Sequence, residues 1–128
     1  MKYFLLFMMP FLINGSTVES DRDFEIEMNL QNQKISLTCT QGCAWKTLSF
    51  DLSQDTSQAV DEFGMSSQKD SNTMYDPQLA DFAFVVTYRS DKVVLEGING
   101  TAWKELSYSC PQLSCSRWIN KAGVRESR

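Results

Sequence analysis

One internal repeat constrains this chain more than any other feature. Asp23-Phe24 matches Asp81-Phe82, and the same offset of 58 positions then carries across the unit. Lys34, Leu37, Gly42, Ala44, Trp45, Lys46, Leu48 and Ser49 match Lys92, Leu95, Gly100, Ala102, Trp103, Lys104, Leu106 and Ser107. Ile35 against Val93 and Phe50 against Tyr108 are close replacements. After one inserted residue, Val60-Asp61 aligns with Ile119-Asn120 and Gly64 with Gly123. Self-similarity at a fixed period signals one structural unit used twice. The two copies run over 24–65 and 82–124, with a polar connector at 66–81 that Met74, Tyr75 and Leu79 are able to pin down in part.

Each copy reads as antiparallel strands. Phe24, Ile26, Met28 and Leu30 alternate with polar neighbours, as do Phe82, Phe84, Val86 and Tyr88. A period of two marks a strand with one buried face. Gln31-Asn32-Gln33 and Arg89-Ser90-Asp91 then form hairpin turns, and Ile35, Leu37, Val93 and Leu95 lie on the returning strands. Thr40-Gln41-Gly42 and Ile98-Asn99-Gly100 mark the next turns, since Asn and Gly tolerate positive φ. Leu48, Phe50 and Leu52, or Leu106 and Tyr108, make a third strand. Val60 and Ile119 lead into Asp61-Glu62-Phe63-Gly64 and Asn120-Lys121-Ala122-Gly123, with the Asp/Asn-first, Gly-fourth pattern of a type I turn. A unit of this size cannot bury a stable core alone. The expected fold is therefore all-β, with two roughly four-stranded antiparallel units packed as a pseudo-twofold sandwich over a single domain at 21–128.

The first twenty residues stand apart. Lys2 precedes an apolar run, Tyr3 to Ile13, that ends at Asn14-Gly15-Ser16. This is the layout of a signal peptide cleaved at about residues 15–20, and the run is short for a membrane span. The expected location is periplasmic or secreted, without membrane insertion after cleavage.

Four cysteines in an exported chain of 128 residues suggest two disulfides. Cys39 and Cys43 flank one hairpin loop, and their counterparts Gly97 and Thr101 are both non-cysteine. Cys110 and Cys115 flank a Pro-Gln-Leu-Ser loop, and their counterparts Leu52 and Ser57 are also both non-cysteine. Cysteines that come and go in local pairs are expected to bond as Cys39–Cys43 and Cys110–Cys115. A zinc site is the rival reading, but Cys-x3-Cys and Cys-x4-Cys are imperfect knuckles and the chain has no histidine. A redox dithiol would have two intervening residues. No metal or other cofactor is expected.

The net charge of −4 gives no basic footprint for nucleic acid. Without histidine, the usual general base is missing. Lys46 and Ser49, like Lys104 and Ser107, stand three apart on a strand and so point to opposite faces, which rules out a Ser-Lys dyad. Asp61-Glu62 reads as turn chemistry, and no catalytic residue is assigned. Asn99-Gly100-Thr101 is formally a glycosylation sequon.

Trp45 and Trp103 are the candidate binding residues. In an unkinked strand their parity opposes Leu48 and Phe50, or Leu106 and Tyr108, which would put both indoles on an open face. There they could stack on a sugar or anchor a protein. A bulge at Gly-x-Ala-Trp would instead turn them inward. Retention in both copies favours the inward, structural role.

Gly42-Cys43-Ala44-Trp45-Lys46-Thr47-Leu48-Ser49-Phe50, followed by Val60-Asp61-Glu62-Phe63-Gly64-Met65, resembles a motif of small exported bacterial proteins that have no established activity. The resemblance implies export and a bacterial source, and no mechanism. The expected function is an extracytoplasmic binding, adaptor or inhibitor module with a protein or glycan partner. The alternatives are a carboxylate-dependent enzyme and a purely structural periplasmic or surface protein.

Overall fold

The computed structural model describes residues 22–53, 55–66 and 76–126. The expected signal segment and most of the connector, including Met74 and Tyr75, lie outside the described residues. Ten strands follow one another: β1 (Glu25–Gln31), β2 (Lys34–Gln41), β3 (Thr47–Asp51), β4 (Ser57–Asp61), β5 (Gly64–Ser66), β6 (Ala83–Arg89), β7 (Lys92–Asn99), β8 (Glu105–Ser109), β9 (Ser114–Asn120) and β10 (Gly123–Arg125). They form two antiparallel five-stranded sheets, ordered β10-β9-β1-β2-β3 and β5-β4-β6-β7-β8. The all-β two-sheet sandwich expected from the repeat is the architecture, with five strands per copy.

Membership of the sheets is not segregated by repeat. Each sheet takes three strands from one copy and two from the other. The exchange happens at residues 52–56 and 110–113, the connections from β3 to β4 and from β8 to β9. Leu52 and Cys110 anchor these connections in the core, at 1% and 0% exposure. Leu52 N–H donates to Gln33 O on the first sheet's hairpin, and Asp55 N–H then donates to Tyr88 O on the second sheet. The other crossing mirrors it, with Cys110 N–H on Asp91 O and Asn32 N–H on Leu113 O. Packed sheets lie about 10 Å apart, a gap that a few extended residues can span. The chain therefore steps across to the facing sheet rather than returning past β2 and β1 to the far side of its own.

Local chemistry fixes the hairpins. Asn32 and Gln33 have φ of 53° and 71°, and Ser90 and Asp91 have 54° and 62°. Positive φ at both central residues is the type I′ arrangement that suits the strand twist. The register then shifts at the same place in each copy, between Glu25 and Ile26 and between Ala83 and Phe84. Beyond it the chain forms five-residue loops, 42–46 and 100–104, rather than tight turns. These loops are closed by Cys39 N–H on Lys46 O and Gly97 N–H on Lys104 O. Gly42 and Gly100 sit at φ of 91° and 75°. A Cβ there would lie 2.8 Å from Asp23 O and 1.9 Å from Asp81 O, so each loop rests directly on the chain entering its own repeat.

The core holds Phe24, Ile26, Met28, Leu30, Ile35 and Leu37 from the first copy and Phe82, Phe84, Val86, Tyr88, Val93 and Leu95 from the second. Tyr108 from β8 reaches across to donate its hydroxyl to Met28 Sδ at 3.1 Å. Burial pushes the Tyr108 phenol well above its ordinary pKa, partly opposed by the Arg117 guanidinium, which stands 5.1 Å from the ring centre.

Candidate functional site

Trp45 and Trp103 lie in the loops before β3 and β8, so strand parity does not govern them. Both turn toward the core. Trp103 is 8% exposed with its ring 6.1 Å from Phe84, and Trp45 is half-buried against the same cluster. Trp45 Nε1–H donates to Asp61 O at 3.0 Å, and Trp103 Nε1–H donates to Asn120 O at 3.1 Å. Each acceptor is on the same repeat as its indole but in the opposite sheet. A second bond lies beside each, Ala44 N–H to Glu62 O and Ala102 N–H to Lys121 O. The repeated Ala-Trp pair thus forms a two-bond bracket that holds the exchanged strands to their own repeat. The turns it grips are built as the sequence indicates: Asp61 Oδ1 accepts from Phe63 and Gly64, and Asn120 Oδ1 accepts from Ala122 and Gly123.

The cysteines pair locally, Cys39 with Cys43 and Cys110 with Cys115, at Cα separations of 6.2 and 5.3 Å. In the second copy Thr101 Oγ1 takes the place of the first bridge. It donates to Trp103 O at 2.7 Å and occupies the space a Cβ of Gly97 would need. One counterpart moves by a residue. Ser57 pairs with Thr87 and Ser116 pairs with Asn29, which makes Thr56 rather than Ser57 the equivalent of Cys115. Thr56 is tied back to Ser53 O instead. Among the described residues, no group of three His, Cys, Asp or Glu side chains could hold a metal ion.

The outward faces of the sheets are where the copies diverge most. Ile119 is fully buried, so its neighbour Trp118 on β9 faces outward on the first sheet. Cross-strand pairing places Arg125, Trp118, Glu27, Thr38 and Thr47 in one row across all five strands. The adjacent row runs Ser116, Asn29, Ser36 and Ser49. These side chains are exposed or half-buried. Arg125 is ion-paired with Glu25, and Ser116 Oγ donates to Glu27 Oε2 at 3.4 Å. A shallow depression of about 170 Å³, lined by Asn120, Ala122, Gly123, Val124 and Arg125, adjoins the Trp118 end. At the equivalent positions of the second sheet stand Ala59, Val85 and Thr87, all buried, with Glu96 and Glu105.

Trp118 is the residue that reasoning from the repeat passes over. Its signal is a difference between copies, Trp against Ala59, hidden by the one-residue insertion ahead of it. No protein-family model, curated protein or solved structure matches the chain.

Proposed function

We propose that this protein is an exported, non-catalytic binding module that holds a carbohydrate on the outer face of its first sheet, with Trp118 as the stacking residue. The observation that carries the reading is Trp118 on a polar sheet face at a position where the other repeat needs only Ala59. A large aromatic kept in one copy alone is not demanded by the shared fold. An indole offers a flat apolar surface to the C–H face of a sugar ring. Around it, Glu25 and Glu27 supply acceptors, Arg125 supplies donors, and Ser116, Asn29 and Thr38 supply groups of both kinds. That mixture suits the many hydroxyls of a sugar better than a lipid or an apolar peptide.

Two disulfides belong to an oxidising compartment, and together with the N-terminal apolar run they support export. Among the described residues no helix is long and apolar enough to cross a membrane. The bacterial source follows the motif resemblance. With all four cysteines bonded and no histidine, the face offers hydrogen-bonding side chains rather than a nucleophile and base.

A glycan array followed by calorimetry on the best ligand tests the reading. Trp118→Ala should abolish binding while changing stability by no more than about 1 kcal/mol. Trp45→Phe and Trp103→Phe should leave affinity unchanged where the protein stays folded. Binding that survives Trp118→Ala, or a wild-type protein that retains no glycan, would defeat it.

A further inference from the structure

We propose that the free edge of β3 pairs antiparallel with β3 of a second copy of this chain, centred on Ser49. Among the described residues, four strands lie at sheet edges: β10, β3, β5 and β8. Edges are ordinarily protected by shortness, charge, proline or a bulge, because their main-chain groups otherwise recruit another strand. β5 and β10 have only three residues each. β8 carries Glu105 directly beside Glu96 of β7, a like-charged pair at its edge. The corresponding pair on the first sheet is Thr38 and Thr47, and β3 contains neither proline nor glycine. Among these edges β3 alone has five residues with no proline and no like-charged cross-strand pair, and its single charge, Asp51, stands opposite Lys34 of β2.

The direction of its main-chain groups follows from the ladder. Cys39 N–H bonds to Lys46 O, and Leu52 N–H bonds to Gln33 O. In an antiparallel pair, residues that exchange bonds alternate with residues that do not. Leu48 and Phe50 therefore bond to β2, and the N–H and C=O groups of Thr47, Ser49 and Asp51 point to the open side. Those three residues are spaced to match themselves. Antiparallel pairing about Ser49 sets Ser49 opposite Ser49 and Thr47 opposite Asp51, each pair able to exchange two backbone bonds. On the inner face Leu48 meets Phe50, both half-buried at this edge. Asp51 is the register partner of Lys34 of β2, which sets an opposite charge beside it within its own sheet.

The alternative of β3 on β8 of a second copy, in the same register, would put Asp51 opposite Glu105. Like charges directly opposite are destabilising. That clash disfavours open-ended head-to-tail growth and selects a closed twofold pair. Seven strand spacings of about 4.8 Å would then separate the two Trp118 residues, or about 34 Å across one continuous face.

Charge exchange at Ser49 tests the pairing. This residue is exposed, and the twofold sets it against itself. Sedimentation equilibrium should show a monomer–dimer system for the wild type. Ser49→Lys and Ser49→Asp should each weaken the dimer at least tenfold, and an equimolar mixture of the two should restore it. Ser107→Lys on β8 should leave it unchanged. The amides of Thr47, Ser49 and Asp51 should gain hydrogen-exchange protection as concentration rises. A wild type that stays monomeric into the millimolar range overturns the proposal. So does loss of the dimer in Ser107→Lys, or a mixture that stays monomeric. Because association is read by mass, with no sugar present, its outcome is independent of the carbohydrate test.

Discussion

Phe24 and Phe82, which open the two repeats, stack on each other with ring centroids 4.0 Å apart and planes 19° apart. Equivalent residues can touch face to face only near the pseudo-twofold axis, so this pair marks where the halves meet. Phe84 adds to it, 6.2 Å from Phe24 and 5.9 Å from Phe82. Phe24→Ala and Phe82→Ala should each cost about 3–5 kcal/mol in urea unfolding, as large-to-small core changes do. The double variant should cost less than the sum, because the singles remove one shared contact.

The tryptophan brackets predict a graded series. Replacing either indole by Phe removes one donor and leaves a carbonyl on the facing turn unpaired, at a cost of about 1–3 kcal/mol. Trp103→Ala should cost about 3–5 kcal/mol, and Trp45→Ala less, because Trp45 is only half-buried. In a Trp118→Phe background, fluorescence should be blue-shifted and protected from a soluble quencher. Red-shifted, readily quenched emission would contradict the inward placement.

Peptide mapping without reductant should find Cys39 joined to Cys43 and Cys110 to Cys115, with no cross-linking between the pairs. The loops closed are short, so loop-closure entropy gives each bridge only about 2 kcal/mol. The reduced protein should stay folded and melt earlier. The Cys110–Cys115 bridge should matter more for the topology, because it staples the crossing where the chain changes sheets.

Glu62 predicts an unusual pH dependence. It is 3% exposed and accepts the Phe82 N–H at 3.3 Å. Burial pushes its carboxyl above the ordinary value of 4.5. Nearby Asp81 and Asp61 raise it further, and backbone N–H bonds from Glu62 and Phe82 oppose the shift. The folded state therefore holds this proton more tightly than the unfolded chain. Its stability contribution is greatest below the unfolded pKa and is lost as pH rises through the folded one. Glu62→Gln keeps an acceptor oxygen without the charge. It should melt higher than wild type at neutral pH, and the difference should vanish near about pH 4. A variant less stable than wild type at pH 7 would show that the ionised carboxylate has a favourable partner.

Strand content, hairpin positions and cysteine pairing were legible because each depends on near neighbours: a period of two, a turn residue, a pair of cysteines that comes and goes together. The exchange of β4-β5 for β9-β10 was not, since Val60 presents the same buried face whether its neighbour is β1 or β6. Parity does not place Trp45 and Trp103, because the chain from Gly42 to Lys46, like that from Gly100 to Lys104, is a loop that re-aims the side chain; retention in both copies is the signal that points them inward. Trp118 escaped for a different reason. Retention in both copies identifies what the fold requires, whereas Trp118 stands where the copies disagree.

The two crossings tie the repeats together through their last two strands. Each half of the molecule is built as two separate chains of one repeat would build it, by trading their last two strands. In such a homodimer both outer faces must be identical, since one gene writes both. Joining two copies into a single chain lifts that obligation. One face can then accumulate Trp118, Glu27 and Arg125 while its twin keeps Ala59, Val85 and Ser66, with the common core left intact. Two repeats in one chain thus make a scaffold with one side bound to the fold and the other free to differ.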